Sequence, residues 1–178
     1  MQKTNKKNKT GFIMIEAAFA IFIVGGALLV FMNVLGLMYR AEFSKRDYVI
    51  AANLAQEGVE LVRNLRDNNW KSGRLGFALA ATGGIFPPNG NYCRDYLGTL
   101  AAGGCGDKLR VVTATGFYRY AGGGGTVDSK FSRTINIANA GGGQNRLITS
   151  TVTWQPVGSA TNTTIEVTDI LSAWANAN

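Results

Sequence analysis

The chain has 178 residues, 46% hydrophobic and only 16% charged, a balance that excludes a low-hydrophobicity disordered protein. It contains no His, which removes the commonest general base, the serine triad and most catalytic zinc sites together. The net charge of +7 is uneven: Lys3, Lys6, Lys7 and Lys9 supply four of the seven, and from Phe12 onward 14 basic residues face 11 acidic ones, too small and dispersed an excess to argue for nucleic acid.

After this basic tail comes Phe12–Tyr39, 28 residues in which Glu16 is the only formal charge. As a helix it spans about 40 Å, more than the roughly 30 Å of bilayer hydrocarbon. The Lys residues precede it, so the positive-inside rule predicts a cytoplasmic N-terminus and an exported remainder. An ordinary secretory signal fits poorly, because the apolar run is too long and its small-residue stretch Ala17-Ala18-Phe19-Ala20 lies at the start.

An uncleaved signal anchor would account for the helix but not for Glu16. A carboxylate near the top of a membrane helix costs a few kcal/mol unless it reaches the headgroups or finds a partner. If the chain is cut after Gly11, Phe12 acquires a free amine, with Glu16 four residues along on the same helical face. Amine and carboxylate can then neutralise one another within a chain or between neighbours.

The basic leader, Gly11, the run Phe12-Ile13-Met14-Ile15 and then Glu16 resemble the leader-peptide motif of type IV prepilins and pseudopilins. The resemblance implies that a membrane peptidase cuts between Gly11 and Phe12 on the cytoplasmic side and methylates the Phe12 amine. It also implies that Glu16 pairs with the N-terminus of an adjacent subunit and sets the register of assembly. The implied partners are other pilin subunits in a helical filament, the prepilin peptidase and methyltransferase, a pilus or secretion assembly platform, and membrane lipid.

Gly25, Gly26 and Gly36 interrupt the apolar segment. They allow close helix packing or mark a place where the helix stretches. Beyond the membrane, Ile50, Leu54, Leu61 and Leu65 recur at helical spacing with Gly58 on the same line, and Ala51, Ala55, Val59 and Val62 widen that face. Glu42/Arg46 and Arg63/Asp67 are i,i+4 pairs suited to the solvated side. The spacing predicts one helix from about Phe12 to Trp70, nearly 90 Å long at ~1.5 Å per residue. The stretch from Ala51 to Asp67 resembles the corresponding helix of minor pilins, in particular the pilus-modification-protein group. Its charges Glu57, Glu60, Arg63 and Arg66 are adequately explained as ordinary surface charges.

Residues 71–108 are turn-rich, with Gly83-Gly84, Pro87-Pro88-Asn89-Gly90 and Gly103-Gly104, and predict an irregular loop. This loop holds the chain's two cysteines, Cys93 and Cys105. An oxidising exported side favours a disulfide between them, with two free thiols as the alternative. After Lys108 the period changes to two and predicts strands at Leu109–Tyr120, Phe131–Ala138, Leu147–Trp154 and Thr163–Ile170, joined by Gly-rich turns into an antiparallel sheet. Phe131, Ile135 and Ile137 share one face, while Thr149, Thr151 and Thr153 oppose Ile148, Val152 and Trp154. Trp154 and Trp174 suit core or sheet-edge positions. Gly122–Gly125 lacks the Gly-Lys-Ser/Thr ending of a phosphate loop.

The expected organisation is a leader (1–11), a membrane and assembly helix (12–39), its amphipathic continuation (40–70), a Gly-rich variable loop with the cysteine pair (71–108) and an antiparallel sheet domain (109–178). The fold class is α+β, a long helix packed on a small sheet, and the resemblance implies the lollipop outline of pilins. The function it implies is that of a structural subunit, a minor pilin or pseudopilin of a type IV pilus or type II secretion-like filament. The alternatives are a major pilin, or a fibre-displayed DNA-uptake or adhesive module, which exposed residues such as Arg119 and Tyr120 permit but do not argue for. With no paired carboxylates, nucleophile–base pair or metal cluster in the sequence, no enzymatic activity, cofactor or metal is expected.

Overall fold

The computed structural model describes residues 10–74, 76–77, 86–98, 100–102, 108–120, 124–141 and 145–173. The fold is α+β. Among the described residues, one helix, α1 (Thr10–Lys71), comes first, and eight strands follow: β1 (Gly90–Arg94), β2 (Leu100–Ala102), β3 (Arg110–Val112), β4 (Tyr118–Arg119), β5 (Thr126–Asp128), β6 (Ser132–Asn139), β7 (Asn145–Trp154) and β8 (Thr163–Ser172). The chain divides into two compact units, Met1–Phe43 and Ser44–Asn178.

The helix ends as its sequence dictates. Gly73 adopts φ +70° and donates its N–H to the Trp70 carbonyl, while Arg74 N–H reaches back to Asn69. This pairing satisfies carbonyls left open at the last turn, and Gly takes the left-handed position without the cost a side chain would add. Lys71 complements the negative end of the helix dipole.

In the second unit, β2-β1-β6-β7-β8 form a five-stranded antiparallel sheet, and β4-β3-β5 form a second sheet of three. Two apolar clusters join helix to strands. Val59, Val62 and Leu65 pack with Tyr92, Ile135, Ile137, Ile148 and Leu171. Ala51, Leu54 and Ala55 pack with Leu109, Phe131, Val152 and Trp154. The period-two reading of β6 and β7 is followed: Ile135, Ile137, Ile148, Val152 and Trp154 all point inward.

Four expectations need correction. Residues 71–108 contain β1 and β2, and β1 lies inside the main sheet against β6. Its five residues GNYCR carry little periodic signal, so the pairing depends on a strand some forty positions later. Leu109–Tyr120 is two strands, because Thr113-Ala114-Thr115-Gly116 turns the chain: Gly116 sits at φ +74° and Val112 N–H bonds the Phe117 carbonyl at 2.9 Å. The short strand β5 was not expected at all. The buried stripe is centred on Ala51, Ala55, Gly58, Val59 and Val62, whereas Ile50 and Leu61 lie at its edge and are only partly buried.

Candidate functional site

Gly11 and Phe12 lie in the first turn of α1, one and two residues after its start at Thr10. Amide N–H groups in a first turn have no acceptor within the helix. No acidic residue in that turn offsets the positive end of the dipole.

Glu16 is exposed and has no ion-pair partner among the described residues. Its neighbours are apolar on every side of the helix: Ile13, Ile15, Phe19 and Phe22 are all open, with Phe22 79% exposed. The segment's mean hydropathy reaches 2.5, and none of it is buried within the chain. It is long and apolar enough to cross a membrane. A helix apolar all round is stable only when lipid or other protein covers it. Asn33, a further polar residue of the segment, satisfies itself by donating to the Leu29 carbonyl at 2.9 Å.

Gly25, Gly26 and Gly36 do not break the helix, which is continuous through all three. A Cβ at any of them would meet nothing within 4 Å. The glycines leave shallow places on an exposed apolar surface where another backbone can come close.

Cys93 sits on β1, buried and disulfide-bonded. Cys105, the sequence's other cysteine, lies outside the described residues, as do Trp174 and Gly122–Gly123.

Sequence reasoning missed the charged groups that hold the second unit together. Arg133 is wholly buried on β6. It donates to the Leu54 carbonyl at 2.9 Å and to the Arg94 carbonyl, and it lies 3.4 Å from Glu57 Oε2. The period-two pattern did place position 133 between inward-facing Phe131 and Ile135. Arg66 is also buried and reaches the Ser172 carbonyl, so it is no ordinary surface charge. Arg63 pairs with Glu60 and with Asp169 at 2.7 Å, not with Asp67, which pairs with Arg66. Hydrogen bonding to Asp169 is the main reason the Arg63 guanidinium is held above its usual range. Asp47 on α1 pairs with Lys130.

Tyr120 is not the free surface residue expected. It is partly buried, its hydroxyl donates to the Arg133 carbonyl, and its N–H donates to Asp95 at 3.1 Å. Burial pushes its phenol up, partly countered by the Arg133 charge. Among the described residues no group of three or more His, Cys, Asp or Glu could hold a metal.

Among the described residues up to Tyr39, the first unit offers one carboxylate, Glu16, without an ion-pair partner on an exposed apolar helix. No family model matches the chain, and neither a curated protein nor a solved structure matches it.

Proposed function

We propose that the chain is a structural subunit of the type IV pilin class, a minor pilin or pseudopilin, anchored in a membrane by α1 with its N-terminus in the cytoplasm. The observation that carries the reading is Glu16. It is the only formal charge among residues 12–39, it is exposed on an apolar helix, and it has no partner among the described residues. The proposed cut supplies the missing cation. Cleavage after Gly11 creates an amine at Phe12, and a glycine at the cut offers an unhindered backbone to a protease cleft. An ammonium at a helix N-terminus is repelled by the dipole, so Glu16 of a neighbouring subunit stabilises it. The pair forms only at one axial offset between subunits, which gives register, while burial of residues 12–39 against other helices gives affinity.

Glu16→Ala tests the assignment. Membrane insertion, which depends on hydropathy, stays at the wild-type level, and incorporation into sheared filaments is lost. Normal incorporation of the variant would refute the register mechanism.

A further inference from the structure

Resting on the filament reading, we propose that the second units of adjacent copies also touch, the basic aromatic patch of Tyr96, Leu97, Phe117 and Arg119 docking into the acidic cleft between α1 and β8 of a second copy.

The patch is built rather than incidental. Tyr96, Leu97 and Phe117 are large apolar side chains left in the open, Phe117 at 59% exposure. The Tyr96 and Phe117 rings meet edge to face at 5.5 Å. One buried carboxylate, Asp95, accepts N–H bonds from Leu97 and from Tyr120, both at 3.1 Å, and so ties the two loops together. A surface held in this way loses little freedom on binding. Arg119 lies directly across from Arg110 in the β3–β4 pair. Like charges placed opposite each other destabilise a sheet. Arg110 is relieved by Asp128 at 2.8 Å, but Arg119 has no carboxylate partner among the described residues. The patch therefore combines exposed apolar area with a half-buried arginine that has no carboxylate partner among the described residues.

The cleft has the opposite character. It measures about 530 Å³ and is lined by Gln56, Glu57, Glu60 and Arg63 of α1 and by Val167 and Asp169 of β8. Arg63 serves both Glu60 and Asp169, and Glu57 lies 3.4 Å from buried Arg133, so three carboxylates outnumber the two arginines beside them by one. β8 is the last strand of its sheet and runs for ten residues. Among the described residues no further strand pairs with its outer edge, and an edge of that length invites cover. Tyr96 and Leu97 follow β1, which lies three strands away from β8, roughly 14 Å at ~4.8 Å per strand, while Phe117 and Arg119 belong to the β3–β4 hairpin of the second sheet. Two different, complementary surfaces make a heterologous contact, which extends into an open helical array wherever its rotation does not close a ring.

The test places the photo-crosslinker p-benzoylphenylalanine at position 117 of the full-length chain, irradiates filaments sheared from cells, and maps adducts by mass spectrometry. The expected adduct joins position 117 to residues 53–63 or 167–169 of another copy. Arg119→Glu lowers its yield at least about tenfold, and Glu60→Arg in the other copy restores it. Adducts to position 117's own patch, to nucleic acid, to lipid or to another protein would overturn the contact, as would consumption of the probe by water alone. The N-terminus of the same sample separates the two claims. Chains starting at Phe12 with adducts elsewhere remove the contact only, whereas a protein absent from the sheared fraction removes filament and contact together.

Discussion

Gly58 on α1 lies against Ser150 on β7 so closely that a Cβ added to the glycine would come within 2.2 Å of the serine hydroxyl oxygen and 3.0 Å of its Cβ. This is where helix and sheet approach most tightly, with Ala51 and Ala55 keeping the helix surface low on one side.

Gly58→Ala is therefore expected to destabilise the second unit by about 2 kcal/mol through overpacking, lowering its thermal midpoint by about 4–8 °C. The sign is what matters. In an uncrowded helix the same change would stabilise by up to about 1 kcal/mol. Thermal unfolding followed by tryptophan fluorescence distinguishes the two, and a raised midpoint would contradict the packing described. Ser150→Ala should be neutral or slightly stabilising, since the buried hydroxyl has no hydrogen-bond partner.

Arg133 links three elements through carbonyls of α1 and β1 and its own place on β6. Arg133→Ala leaves a cavity and removes the cation beside Glu57, and should cost about 3 kcal/mol. Arg133→Lys should recover only part of this, because an ammonium cannot reach both carbonyls in a fixed fork. Denaturant midpoints at unchanged slope would measure it. A loss below about 1 kcal/mol would mean that the guanidinium is a passenger.

The pH dependence follows from tyrosines. Burial raises the phenols of Tyr92, Tyr118 and Tyr120 above their ordinary value. The folded chain then holds these protons more tightly than the unfolded one, so the stability is fully present below the unfolded pKa of about 10. It is lost as pH rises through that value toward the folded ones. The thermal midpoint should therefore be insensitive to these groups near neutrality and fall above pH about 10, less steeply in Tyr120→Phe. Tyrosinate absorbance should show a subset of the six tyrosines titrating late. If all six titrate together near pH 10 in the folded protein, the burial argument is wrong.

The legible parts of this fold were those with local period. Alternation in β6 and β7 announced Ile135, Ile137, Ile148 and Val152 as core. It also put position 133 on the same face, where an arginine disguised a buried site. β1 stayed hidden because its place in the sheet comes from β6, far along the chain. Leu54 and Leu65 are buried as the spacing predicts, but Ile50 and Leu61 fall at the edge, because close approach at Gly58 keeps the helix surface beside it to small residues. At the N-terminus, one carboxylate in an apolar run stood out unaided. Tyr96 and Phe117 gave no comparable signal, since exposed aromatics in loops follow no period.

The account depends most directly on what becomes of the Gly11–Phe12 bond. N-terminal sequencing and intact mass of the protein recovered from its native membrane test it in one sample. The predicted result is a chain that starts at Phe12 and carries one methyl group beyond its sequence mass. A chain still starting at Met1, in cells whose peptidase demonstrably processes other substrates, would contradict the proposed function and leave Glu16 without its partner.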